Sequence, residues 1–262
     1  MLTNDHRESL IFSGQELWSD EPPLESDHHL QQIMLLLLSL QWWWQDRPDA
    51  PENRKNRYYA AGNLTIYYSQ DEKRRSQESR GPDFFVVLDV ENRPRRSWTV
   101  WLEGGKYPNV IVEILSDSTA KVDREVKKEL YQNTFKTPEY FWFDPASLEY
   151  EGWRLVEGIY QEIPRNQQGW RWSQELELYI GIVEEKLRFW TESGELVPAP
   201  LEVALQERER AQQERERALQ ERQRAQAADQ RVLQERQRAE AAEAQLNALR
   251  QKLAERGINL DS

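Results

Sequence analysis

NVIVEILS, residues 109–116, is an apolar run with a carboxylate in its middle. Val110, Ile111, Val112, Ile114 and Leu115 are aliphatic at both odd and even positions. A short, continuous, β-branched run of this kind reads as a strand buried on both faces. Glu113 interrupts it. Burying a lone carboxylate costs several kcal/mol, roughly, unless the group is paired or takes up a proton. Two solutions are open: a structural ion pair, with Lys127 the candidate cation, or a metal ion shared with a second acid.

The second acid lies upstream. GPDFFVVLDV, residues 81–90, predicts another strand, and Asp83 stands at its start after Gly81-Pro82. Asp83 reads either as a turn residue or, if the two strands pair, as a carboxylate converging with Glu113 on one divalent cation. The cation would offset the like-charge repulsion and the burial cost. Downstream, Val122, Val126 and Leu130 recur at four-residue spacing and predict a helix over 121–134, ended before Pro138. Lys127 lies on that helix, with Asp123 one turn before it and Tyr131 one turn after, on the same stripe. It can reach back over the strand end or sit on a solvated face beside Lys121, Arg124 and Lys128. Tyr131 reads first as a packing residue. EYFWFDP, residues 139–145, predicts a further buried strand, with Asp144 as its turn signal.

Farther out, Asp27 is a candidate N-cap for a helix over 28–44 that carries IMLLLLSL and three consecutive tryptophans. That apolar run is too short to span a membrane. NLTIYYS, residues 63–69, reads as a strand. The region up to Val197 reads as antiparallel strands with a hairpin around Ser193-Gly194. Helix, strands, helix, strand and a late β region together predict an α/β domain around a mixed sheet.

After Pro198-Ala199-Pro200 the composition collapses to Ala, Glu, Gln, Arg and Leu. Repeats such as ALQERER and AQQERER recur every seven residues. One column runs Ala204, Ala211, Ala218, Ala225, Val232, Ala239, Leu246, Leu253; its partner column begins with Glu207, Glu214 and Glu221. This is a long helix with a weak heptad seam, open to reading as a solvated single helix or as a homodimeric coiled coil. Gly257 is its C-cap signal. The expected organisation is an N-terminal segment 1–26, an α/β domain 27–197, a heptad helix 198–257 and a tail 258–262.

The chain has 262 residues, a formal net charge of −11 and no cysteine, which excludes disulfides and thiolate metal sites. The three histidines all lie within the first 29 residues, which argues against a His-rich zinc site. A metal held by carboxylates points to a hard cation, Mg²⁺ or Mn²⁺. The acidic balance gives no general attraction to nucleic acid. Local basic clusters at Arg54-Lys55-Arg57, Lys73-Arg74-Arg75 and Arg93-Arg95-Arg96 are solvated loops or phosphate contacts. A soluble, cytoplasmic protein is expected.

GPDFFVV, PNVIVEILS, the D-x-x-x-K-x-x-x-Y spacing of Asp123, Lys127 and Tyr131, and PEYFWFDP resemble, in that order, the bacterial restriction-endonuclease family of the PD-(D/E)XK nuclease superfamily. The resemblance covers roughly residues 27–181; charged coiled-coil tails ending like LAERGINLD also occur among such proteins. It implies a restriction-endonuclease-like fold, Mg²⁺ binding and phosphodiester hydrolysis, with DNA the favoured substrate. Asp83 matches the first acid and Glu113 the second; both would hold the metal, together with a strand carbonyl such as that of Ile114. The superfamily lysine stands two residues after the glutamate, where this chain has Leu115. The resemblance implies its displacement to Lys127. The first-helix glutamate of some members is replaced here by Gln31 or Gln32. The expected catalytic set is therefore Asp83, Glu113 and Lys127. The rival expectations are an inactive nuclease-fold adaptor acting through its coiled coil, and a structural dimer without a nucleic-acid role.

Overall fold

The computed structural model of the chain describes residues 17–21, 23–24, 26–48, 50–69, 79–115 and 126–255. The segment 1–16, the basic cluster at 73–75, the corner and helix start at 116–125 with Asp123, and the end from 256 onward, Gly257 included, lie outside the described residues. Contacts along the chain divide it into two units between Pro200 and Leu201.

The first unit is a mixed α/β body. Its six-stranded sheet has the order β1 (Tyr58–Ala61), β4 (Phe84–Leu88), β6 (Val110–Ile114), β7 (Glu139–Asp144), β8 (Glu149–Val156) and β9 (Ile159–Glu162). All pairings are antiparallel except β6 with β7. Parallel neighbours need a crossover connection; the segment joining β6 to β7 carries the short helix α2 (Lys128–Leu130) and a π-helical turn, Tyr131–Phe135.

The three runs read as strands from continuous hydrophobicity are β4, β6 and β7, and burial on both faces explains why they lack alternation. On one face, Phe84, Val86, Val110, Val112, Phe141 and Phe143 share a core with Leu36, Leu40 and Trp44 of α1 (Asp27–Gln41). A three-stranded sheet of β10 (Arg171–Ser173), β11 (Leu178–Val183) and β12 (Lys186–Trp190) closes that side through Leu178, Ile180, Leu187 and Phe189. On the other face, Phe85, Val87, Ile111, Tyr140 and Trp142 pack with Tyr131, Phe135 and Trp98. A second small sheet joins β2 (Ile66–Tyr67), β3 (Ser79–Arg80) and β5 (Trp98–Thr99).

Several local expectations change. The segment over 63–69 holds only the two-residue β2, and the neighbouring strand is Tyr58–Ala61, behind a basic stretch that reads as loop. The cap of α1 is Ser26, whose Oγ accepts the His29 N–H at 3.2 Å; Asp27 is the first helical residue. After Gln41 the helix widens into a π-helical turn at Trp42–Asp46. The two described basic clusters are largely committed to protein acids. Arg54 meets Glu177, Arg57 meets Asp89, and Arg93 and Arg95 share Glu103. Arg95 is buried under Tyr59 and Trp98.

The second unit is α3, a helix from Pro200 to Glu255, 56 residues long. At 1.5 Å per residue it extends about 84 Å. Beyond its first turn, every described side chain is exposed, including Leu205, Leu219, Val232, Leu233, Leu246 and Leu249.

Candidate active site

The pairing of β4 with β6 decides where the two acids go. Phe84 stands opposite Val112, Phe85 opposite Ile111 and Val86 opposite Val110. One step farther, the same register sets Asp83 opposite Glu113. Side chains alternate along a strand, so Glu113 shares the face of Ile111, and Asp83 that of Phe85. The two carboxylates therefore meet at one end of the sheet on one side. Like charges directly opposite each other are destabilising, so this end must supply compensation.

It supplies both hydrogen-bond donors and cations. Asp83 Oδ2 accepts the Ile114 N–H at 2.7 Å, and Asp83 Oδ1 lies 2.9 Å from His29 Nε2. Glu113 Oε1 accepts the Tyr131 hydroxyl at 2.6 Å. Glu113 Oε2 accepts Lys127 Nζ at 3.1 Å and, more weakly, the Asp83 N–H at 3.4 Å. Each acid thus reaches the main chain of the other's strand. Glu113 is 0% exposed, Tyr131 0% and Asp83 9%. Burial pushes the Asp83 carboxyl up, but the hydrogen bond and charge from His29, the Lys127 charge and the Ile114 N–H outweigh it and hold the group below its ordinary value.

The three expected residues, Asp83, Glu113 and Lys127, are therefore brought together. Leu115 is a buried core residue whose N–H bonds Phe143 O, and it offers no amine; Lys127 reaches Glu113 from the crossover instead. Tyr131, read first as packing, does pack on Phe135 and Tyr140, but its hydroxyl also ends on Glu113. Neither glutamine approaches the acids. Gln32 clamps α1 to β12, donating to Leu187 O at 2.9 Å and accepting Leu187 N at 3.0 Å, and Gln31 bonds Asp27. His29 takes the helix position nearest Asp83, and no sequence pattern marks it. A cavity of about 200 Å³ borders the site along His29, Ile114 and Leu115.

Residues 5–188 match the profile of the family Uma2, described as "Putative restriction endonuclease". The chain belongs to the Uma2 family. The match spans the acids, the crossover and the whole six-stranded sheet, and it ends before α3. The fold expected from the resemblance, a mixed sheet with flanking helices followed by a long C-terminal helix, is the one observed. Among solved structures, the chain is similar to one titled "putative nuclease belonging to DUF820" from Anabaena variabilis. The identity is 14% over 55% of this chain and 70% of that one, with a TM-score of 0.36. No curated protein matches.

No cluster of three or more His, Cys, Asp or Glu arranged to hold a metal occurs among the described residues. The donor chemistry nevertheless suits a hard divalent cation. Mg²⁺ is commonly held by one or two carboxylates, with water and substrate phosphates completing its octahedron. Asp83 and Glu113 are two such groups on a rigid strand pair. An ionised carboxylate offers about four acceptor sites, so hydrogen bonding and cation binding are chemically compatible on the same group.

Proposed function

We propose that this Uma2-family chain is a metal-dependent nuclease that hydrolyses phosphodiester bonds, with DNA as its substrate and Mg²⁺ or Mn²⁺ as its ion. One observation carries the reading: two carboxylates face each other across β4 and β6, with an amine 3.1 Å from one of them. A divalent cation held by Asp83 and Glu113 supplies Lewis-acid polarisation of a phosphate.

The remaining chemistry belongs to the chain. Asp83 and Glu113 hold their geometry through the strand register, so little reorganisation accompanies substrate binding. Tyr131 fixes the Glu113 carboxylate plane by donating to it. Lys127, with its ammonium at the site edge and its side chain 16% exposed, is placed to swing from Glu113 to a phosphate oxygen. There it would stabilise negative charge that develops on the phosphoryl group. The described basic loops do not form an open cationic groove, because their arginines pair with Glu103, Asp89 and Glu177. Among the described residues, substrate affinity then rests on the site itself, and it should be salt-sensitive.

The test is cleavage of plasmid DNA with Mg²⁺ or Mn²⁺, and its loss with a chelator. Asp83→Ala and Glu113→Ala should each abolish cleavage while the protein stays folded. Full activity in either variant removes that residue from the reaction.

α3 carries the second part of the reading, self-association into a homodimer through its heptad face. Its exposed Leu and Val positions support this, most strongly toward the C-terminal half, where Val232, Leu246 and Leu249 replace the earlier alanines and glutamates.

A further inference from the structure

His29 reaches the site from the side of the sheet opposite the crossover. It is the third residue of α1, and its residue exposure is 8%. Its main chain is pinned twice. Ser26 Oγ accepts its N–H, and Gln32, almost one turn on, is clamped by two hydrogen bonds to Leu187. The imidazole is therefore delivered on a fixed frame, with Nε2 at 2.9 Å from Asp83 Oδ1. Opposite it, the Ile114 N–H holds Asp83 Oδ2 at 2.7 Å. One hydrogen-bond donor and one close imidazole contact, from two separate elements, thus flank the two oxygens of one carboxylate. Asp83 precedes β4, one residue outside the strand.

We propose that His29 is a positioning residue for Asp83. Through the 2.9 Å contact of Nε2 with Oδ1, it orients the carboxylate toward the point shared with Glu113. The inference rests on the metal reading above, and it assigns His29 no contact with the ion. Groups that orient a ligand in this way typically change metal affinity by about 10–100-fold when lost.

The test is Mn²⁺ binding by the full-length protein, measured by electron paramagnetic resonance and calorimetry without substrate. His29→Leu removes the donor. His29→Gln keeps an N–H at about the reach of Nε2, and imidazole-nitrogen hyperfine coupling in the wild-type Mn²⁺ spectrum, expected to be absent, separates orientation from ligation. The expected result is wild-type binding, a loss of at least tenfold in His29→Leu, and recovery to within about threefold in His29→Gln. Equal affinity in His29→Leu and wild type overturns the inference and leaves the metal reading intact. Equal loss in both variants also overturns it, because the role is then ligation or packing rather than donation. Wild-type protein that binds no Mn²⁺, indistinguishable from Asp83→Asn, overturns the metal reading and this inference with it. Unfolding midpoints of both variants identify any loss that comes from misfolding.

Discussion

Lys127→Met tests the electrostatic balance of the site without any assumption about catalysis. It removes the cation 3.1 Å from a carboxylate that is fully buried, while keeping most of the aliphatic stem. At that distance the attraction is about 5 kcal/mol at an effective dielectric of 20, but the ammonium loses part of its hydration to make it. Removing one partner of a buried pair typically costs about 3–5 kcal/mol. The Lys127 side chain is 16% exposed and Tyr131 still serves Glu113, which sets the expectation at the low end, about 3 kcal/mol. For a body of this size, 1 kcal/mol shifts Tm by about 2–4 °C, so a fall of about 6–12 °C is expected. All eleven tryptophans precede residue 191, so tryptophan fluorescence in a denaturant titration reports this body and not α3. The double variant Glu113→Gln/Lys127→Met should recover to within about 1 kcal/mol of wild type, because no charge is then left unpaired on β6. Mn²⁺ should also restore part of the loss in Lys127→Met, by mass action on the folded state. A Lys127→Met midpoint equal to wild type, or a double variant as unstable as Lys127→Met, refutes this account.

Other outcomes follow from the same structure. Gly62→Ala places a Cβ 2.2 Å from Ile33 Cγ2 and 3.0 Å from the Asp83 carbonyl; α1 or Asp83 must shift, and a loss of about 1–3 kcal/mol by calorimetry should accompany weaker cleavage. Burial raises the Glu175 carboxyl above its ordinary value; the Glu139 charge adds to this, while the Asn109 hydrogen bond, Arg54 and Arg154 oppose it. The folded state therefore holds that proton more tightly than the unfolded state, and the penalty is complete above the folded value. Glu175→Gln should raise Tm at pH 8, and the gain should shrink as pH falls through the carboxylate range; a pH-independent difference excludes this cause. Ending the chain at Pro200 should convert a concentration-dependent dimer into a monomer in sedimentation velocity, with the body's fluorescence midpoint unchanged.

The parts of the site that could be read from sequence were those whose burial leaves a compositional mark. Glu113 stood out because its neighbours are aliphatic at both parities, and Lys127 and Tyr131 followed from helical spacing. The register that sets Asp83 against Glu113 could be framed only as a condition, since nothing local specifies which strands pair. Tyr58–Ala61 escaped because tyrosines and alanines after a basic stretch carry no clear period, and its strand character comes from pairing with β4. His29 escaped for a related reason. A single histidine near a helix start has no pattern, and its meaning depends on an acid brought to it by the tertiary fold. Ser26 and Asp27 are both good caps, and only geometry distinguished them.

The β4–β6 register also sorts mutations by kind. Substitutions along either strand change what fills the space around the acids, but they leave the acids facing each other. A one-residue deletion within Phe84–Leu88 or Val110–Glu113 does something different: it inverts the parity of every position on one side of the gap. Asp83 and Glu113 would then project from opposite surfaces of a sheet that still has the right composition. The pairing thus works as a reading frame for the site, forgiving of changed letters and intolerant of a lost one.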